Sequence, residues 1–136
     1  MTEGIPQSHP GAERALEPMA GLSLQFDLEA QIRQLHLESE WDANGRNSKT
    51  LVKYPDFRIV LTAIKGNTSM HDHKAPGRIS VQVVAGHIRM HALGQVFDLP
   101  AGHLLALDRE MPHDVEALED SAFLITLVWP EKAEKP

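Results

Sequence analysis

The second half of the sequence consists of short β-rich segments separated by turn residues, and this pattern restricts the fold more than any other feature. Between residues 57 and 129 the separators are glycine, proline, aspartate and asparagine. They recur about every eight to twelve residues, which is typical of an all-β sandwich or barrel. The segments are FRIVLTAI, RISVQVVAG, HIRMHAL, QVFDL, HLLALD, DVEAL and AFLITLVW.

A short amphipathic helix is predicted ahead of these strands, over residues 26–37. Asp27 is a suitable N-cap, and apolar side chains repeat at i, i+4 and i+7, so they line one face of the helix. We expect this face to pack on the core as a lid. The pair Asn44 and Gly45 then predicts a turn, followed by a loop that enters the first strand near residue 51. The apolar positions of the helix are Leu28, Ile32 and Leu35.

The length of 136 residues suits one compact domain and is too short for two ordinary ones. Residues 1–21 contain several glycines and prolines and have no apolar periodicity, which predicts a mobile arm without a site. We assign residues 22–130 to a single barrel domain that includes the helix. Residues 131–136 are expected to form a charged, solvated tail.

Composition and charge exclude several classes of function. The net charge is −6 and no run of lysine and arginine occurs, so a nucleic-acid partner is not expected. No stretch approaches the roughly 18 apolar residues of a membrane span, and the first residues lack the apolar core of a signal peptide. We therefore expect no membrane partner and a cytoplasmic location. The sequence has no cysteine and eight histidines, so any metal must be held by histidine or carboxylate side chains.

Three histidines are candidates for one metal site. His71 and His73 form an H-x-H pair just after the segment FRIVLTAI and its turn. On an extended chain residues i and i+2 face the same side, so both imidazoles can converge on one point. His113 lies where HLLALD ends and DVEAL begins, and it is the candidate for a third ligand.

At these residues the chain resembles the cupin family, whose small β-barrels carry two short motifs. The first motif contains a glycine, the H-x-H pair and a closing glycine, and the second contains a glycine followed by a histidine. The resemblance covers roughly residues 50 to 130 and implies a small jelly-roll-like β-barrel, here with a short N-terminal helix. The residues that carry it are Gly66, His71, His73 and Gly86 in the first motif and Gly102 and His113 in the second.

The sequence also departs from the family pattern. The glutamate ligand of the family has no counterpart, because counting back from Gly86 reaches Ile79 and counting on from His73 reaches Gly77 or Arg78. The spacer between the first glycine and the H-x-H pair is one residue short. The proline, glycine and final asparagine of the second motif are replaced by Asp108, Glu110 and Ala117.

The resemblance then implies a site of three imidazoles, from His71, His73 and His113, that holds one divalent metal ion. Three neutral ligands leave the charge of the ion unneutralised, so the open positions favour an anionic oxygen ligand such as a carboxylate, enolate or hydroxide. Iron or nickel would hold a bidentate substrate together with dioxygen, whereas zinc would hold water as a Lewis acid. Histidine ligands do not choose among iron, nickel, manganese and zinc.

Arg78 is the candidate substrate-binding residue, because it follows the turn at residues 75–77 near the mouth of the predicted barrel. Its guanidinium suits a bidentate contact with a substrate carboxylate, and a surface salt bridge is the competing interpretation. Gln82 replaces the missing glutamate only if a bulge shifts the strand register. His103 follows a turn and is expected to be exposed.

Two further groups of polar residues have open interpretations. The first alternates with apolar residues along one strand, so the two sets face opposite sides, and the polar set is solvent-exposed if the apolar set faces inward. It consists of His87, Arg89 and His91. The second surrounds the third histidine and either orients an imidazole N–H or forms a solvated acidic turn. It consists of Asp108, Glu110 and Asp114.

Three functions fit these observations. The first is a metal-dependent enzyme with dioxygenase-like or Lewis-acid chemistry on a small anionic substrate. The second is a non-catalytic module that binds or senses a small ligand. The third, compatible with both, is a homodimer in which strand edges pair between two copies, since a small all-β domain has edges to protect.

Overall fold

The computed structural model describes residue 14 and residues 17–129, and within them the chain forms two short helices and nine strands. Most of the predicted N-terminal arm (residues 1–13, 15 and 16) and the predicted tail (residues 131–136) lie outside the described residues. The elements are α1 (Leu28–Leu37), α2 (Ser39–Asn44), β1 (Arg46–Tyr54), β2 (Phe57–Ile64), β3 (Ser69–His73), β4 (Arg78–Ala85), β5 (His87–Ala92), β6 (Gln95–Pro100), β7 (Leu104–Leu107), β8 (His113–Ala117) and β9 (Ser121–Val128).

The strands form two antiparallel sheets that face one another. The larger sheet has five strands in the order β1-β2-β9-β4-β7, and the smaller has four in the order β3-β8-β5-β6. The β1–β2 and β5–β6 connections stay within one sheet, and every other connection between consecutive described strands crosses to the opposite sheet, which confirms the predicted all-β, jelly-roll-like architecture. The two sheets do not close into a continuous barrel, so β1 and β7 are edges of the large sheet and β3 and β6 are edges of the small one.

The main core fills the space between the sheets, because side chains alternate between the two faces of each strand. Apolar residues of both sheets point into this space and are almost fully buried. They include Ile64, Val81 and Phe123 from the large sheet and Ile88, Met90 and Val115 from the small sheet. We call this side of each sheet its inner face.

A second apolar cluster covers the outer face of the large sheet. Helix α1 packs there through the fully buried Leu35, and the Asp27 side chain accepts a hydrogen bond from the Ala30 N–H at 3.2 Å, so the predicted helix and its cap are confirmed. The second short helix, α2, was not predicted. It ends at Gly45, whose φ of 73° is left-handed, and β1 starts at once, earlier than the predicted entry near residue 51.

The described part of the segment before α1 lies along β1. The Lys53 N–H donates to the Met19 carbonyl at 2.7 Å, and the Arg14 side chain donates to the Ser48 carbonyl at 2.7 Å. These contacts shield part of the β1 edge from pairing with another strand. No helix in the described ranges has the length and apolar character needed to cross a membrane.

Candidate functional site

His73 and His113 meet on the inner face of the small sheet. They are cross-strand partners in the β3–β8 pair, and their ring centroids are 6.1 Å apart with an interplanar angle of 25°. His113 is 8% exposed, and two residues farther along the same strand Val115 lies in the core. Because cross-strand partners share a face, both imidazoles point into the space between the sheets.

His71 does not join this pair. The β3–β8 register shifts between Met70 and His73, so His71 and Asp72 together lie opposite the single residue Asp114. This is a β-bulge, and Asp72 has the left-handed φ of 59° that accommodates the extra residue. The bulge reverses the i, i+2 relation on which the sequence prediction relied. His71 is exposed, and its Nδ1 lies 3.6 Å from Asp114 Oδ2.

The environment keeps the two inner imidazoles available as lone-pair donors. His113 Nδ1 lies 3.1 Å from the Met111 carbonyl oxygen, which can only accept, so Nδ1 carries the proton and Nε2 is left unprotonated in the neutral ring. Burial lowers the pKa of His73, and so do the charge of Arg46 and the charge that His113 carries when protonated, which together outweigh the opposite effect of Asp114 and Asp72. A neutral imidazole is the form that binds metals and accepts hydrogen bonds.

The other potential ligand residues do not complete a third position around this pair. In the part of the chain that the structure describes, no three histidine or acidic side chains are close enough together to hold a metal ion. An open cavity of about 390 Å³ adjoins His113, and Asp72, His91 and Asp114 also line it. The donor set on the inner face is therefore two imidazoles, not the three expected from the sequence.

Arg78 lies on the outside of the molecule. Its Nε donates to Asp108 Oδ1 at 3.0 Å, and both side chains are 65% exposed. The pKa of Asp108 is lowered by the hydrogen bond from the Arg109 backbone N–H and by the charge of Arg78. Of the two interpretations of Arg78, the structure shows the surface salt bridge.

Gln82 is exposed between the buried Val81 and Val83, so no bulge turns it inward.

The polar set on β5 faces outward, as expected once its apolar neighbours are in the core. His87 Nε2 lies 2.7 Å from Asp98, and His91 Nε2 lies 3.1 Å from Glu116. His103 is exposed at its turn, also as expected.

The acidic residues near His113 do not orient its ring. Asp114 accepts a hydrogen bond from the Asp72 N–H at 2.7 Å, and the Glu110 carboxylate lies 3.9 Å from the Lys74 ammonium.

Two cations at inner-face positions of the large sheet, the exposed Arg46 and the half-buried Arg58, were not predicted from the sequence. Arg46 is the cross-strand partner of Ile64, and Arg58 is the cross-strand partner of Leu127. Both partners pack in the core between the sheets, so the two arginines occupy positions on the inner face of the large sheet. In the sequence, such a residue would be recognised as an arginine at one of the alternate strand positions that face the core. Which of the alternate positions face the core cannot be recognised until the strand pairing is known.

No model of a known protein family matches the chain, and no curated protein matches it in sequence. Solved structures do match. A cupin superfamily protein from Desulfitobacterium hafniense is 16% identical, with a TM-score of 0.61 over 64% of this chain and 80% of its own. A cupin 2 conserved barrel domain protein from Leptotrichia buccalis is 30% identical, with a TM-score of 0.60 over 63% of this chain and 42% of its own. This chain has the cupin fold.

A further structural likeness extends over more of the chain. Salicylate 1,2-dioxygenase from Pseudoaminobacter salicylatoxidans, crystallised with gentisate, matches 85% of this chain with a TM-score of 0.70 and 15% identity. The match covers only 38% of that enzyme. At such identity the likeness concerns the fold, and a fold hosts many unrelated chemistries. The function must therefore be argued from the inner-face residues of this chain.

Proposed function

We propose that this cupin binds one divalent metal ion, iron, nickel, manganese or zinc, through His73 and His113, and that the bound ion recruits a small anionic molecule. The observation that carries the proposal is the pairing of these two imidazoles on the inner face, 6.1 Å apart between ring centroids. Both are suited to donate a lone pair, because His113 is held in one tautomer by Met111 and the pKa of His73 is lowered.

The chemistry of this donor set favours anions. Two neutral imidazoles cancel none of the charge of a divalent ion, and Arg46 adds a positive charge close enough to lower the pKa of His73. When bound, such an ion supplies Lewis-acid polarisation or a site for dioxygen, depending on its identity. The structural likeness to salicylate 1,2-dioxygenase supports dioxygenase-like chemistry as the first activity to test.

Metal titration tests the assignment of the ligands. We expect His73→Ala and His113→Ala each to lower the affinity for Ni(II), measured by isothermal titration calorimetry, by at least about tenfold, since each removes one of two donors. His71→Ala is the matched control, because its imidazole belongs to the same H-x-H pair but lies outside the inner face. We expect it to change the affinity less than about twofold, as the loss of a side chain that donates no bond.

Two results would contradict this assignment. Full Ni(II) affinity in His113→Ala would remove that residue from the site. A loss in His71→Ala equal to the loss in His73→Ala would mean that the bulge at Asp72 rearranges when metal binds and that all three histidines are ligands. Circular dichroism of each variant checks that the sheets are intact.

A second candidate function is non-catalytic binding or sensing of a small ligand without turnover. The number of metal ligands favours this second function. Catalytic zinc sites commonly use three protein ligands, whereas the described inner face offers two imidazoles. Dioxygen uptake with salicylate or gentisate as substrate separates the two functions. Consumption that depends on metal and on His113 supports the enzyme, and saturable binding without consumption supports the module.

We also propose that the protein is cytoplasmic and forms a homodimer through its open sheet edges. The edges β6 and β7 adjoin one another and carry the exposed apolar side chains of Val96 and Leu104. Sedimentation equilibrium is expected to give twice the chain mass of 15.1 kDa. A single-chain mass at micromolar concentration would contradict the dimer.

A further inference from the structure

Two cations lie opposite one another at the end of the inner face of the large sheet. Lys53 on β1 and Arg58 on β2 are direct cross-strand partners, next to the turn that joins the two strands. Like charges at directly opposed positions destabilise a strand pair, and an anion bound between them would relieve the repulsion. None of the ion pairs of the described residues includes either side chain, whereas Arg14, Arg78 and Arg89 each have a carboxylate partner.

The Arg58 guanidinium contacts an aromatic ring, and its Nε has no hydrogen-bond partner in the described part of the chain. Its Cζ lies 5.5 Å from the centroid of the Trp129 ring, which is a cation–π contact. Its Nε is buried and has no hydrogen-bond partner among the described residues. A buried donor without a partner is costly, and an acceptor from outside the chain that reaches this guanidinium would remove the cost.

We propose that Lys53, Arg58 and Trp129 form a binding site for the carboxylate of a small organic acid. The site rests on the proposed function in one respect, since it supplies the chemical class of the anionic molecule that enters between the sheets. Arg58 provides the planar fork that matches a carboxylate, and Lys53 provides a second charge. Trp129 provides an apolar surface beside the fork, which favours an acid with an aromatic or aliphatic body.

A carboxylate fits this site better than a phosphate. Phosphate groups are commonly bound by successive backbone N–H groups of a glycine-rich loop or a helix N-terminus. Both described helices pack on the outer face of the large sheet, away from Arg58. A single fork with one neighbouring ammonium offers the two parallel hydrogen bonds that a carboxylate accepts.

Calorimetric titration with benzoate tests the proposal. We expect benzoate to bind the wild-type protein, Arg58→Gln to weaken binding at least about tenfold, and Lys53→Gln to weaken it about threefold, since the fork contributes more than the single charge. Arg58→Lys keeps the charge without the fork and is expected to fall between wild type and Arg58→Gln. Arg78→Gln is the matched control on the outer surface, and its affinity is expected to stay within about twofold of wild type.

Further readouts keep the outcomes distinct. Trp129 is one of two tryptophans, so benzoate is also expected to change the fluorescence of a Trp41→Phe variant, and benzyl alcohol, which lacks the charge, is not. Equal benzoate affinity in wild type and Arg58→Gln, no benzoate binding at millimolar concentration, or tighter binding of inorganic phosphate than of benzoate would each overturn the site. Ni(II) affinity is expected to be unchanged in Arg58→Gln, so failure of the metal site and failure of the carboxylate site are measured separately.

Discussion

Gly86→Ala is expected to lower the free energy of unfolding by about 4 kcal/mol, as the sum of a strained backbone and a forced overlap. Gly86 joins β4 to β5 with a φ of 83°, a region that residues with a Cβ rarely adopt. A Cβ at this position would overlap Ser121 Oγ and the Asp120 carbonyl oxygen and would lie 2.7 Å from Ser121 Cα. The Ser121 hydroxyl cannot move freely, because it accepts from the His87 N–H and donates to the Glu119 carbonyl.

Gly102→Ala is the control for this prediction. Gly102 has a similar φ of 91°, but no atom lies within 4 Å of the position of an added Cβ. Only the backbone term applies there, so we expect a loss of about 1–2 kcal/mol in the same urea denaturation experiment. Equal losses in the two variants would show that the crowding at Ser121 relaxes and that the conformation of the backbone alone determines the requirement for glycine.

This glycine shows why a motif was informative where local patterns were not. Gly86 was identified as the closing residue of the first cupin motif, and the structure supplies its physical reason in the left-handed turn packed against β9. The β-rich runs were also recognisable, because alternation within a strand depends on neighbouring residues of the same segment. The α1 helix and its Asp27 cap were predictable for the same local reason.

The arrangement of the site depended on contacts that no segment encodes alone. His71 and His73 would share a face on a regular strand, but a bulge lies at Asp72, where Asp114 on another strand accepts the backbone N–H. The position of Arg58 likewise depends on which face its strand turns inward. That is decided by pairing across the sheet, so the sequence offered Arg78 as a candidate and gave no reason to consider Arg58.

Glu38→Gln is expected to cost about 3 kcal/mol of the free energy of unfolding at pH 7, the loss typical of breaking a buried ion pair. The Glu38 carboxylate is 2% exposed and accepts hydrogen bonds from Arg14, Gln34 and Asn47 at 2.8–3.1 Å. Burial acts to raise the pKa of Glu38, but the hydrogen bonds from these three side chains outweigh it and hold the pKa below 4.5. The carboxylate thus connects α1, β1 and the segment that covers the β1 edge.

The pH dependence tests this cause. A carboxylate whose pKa is lower in the folded than in the unfolded protein stabilises the fold above its unfolded pKa, and this contribution is lost as the pH falls through the folded pKa. The difference in stability between wild type and Glu38→Gln is therefore expected to be full at pH 7 and to shrink below about pH 4.5. Asp42→Asn is the control, because Asp42 is 87% exposed in its pair with Lys65, and such pairs are worth less than about 1 kcal/mol. A difference for Glu38→Gln that stays constant down to pH 3 would assign the loss to packing and not to the charged hydrogen bonds.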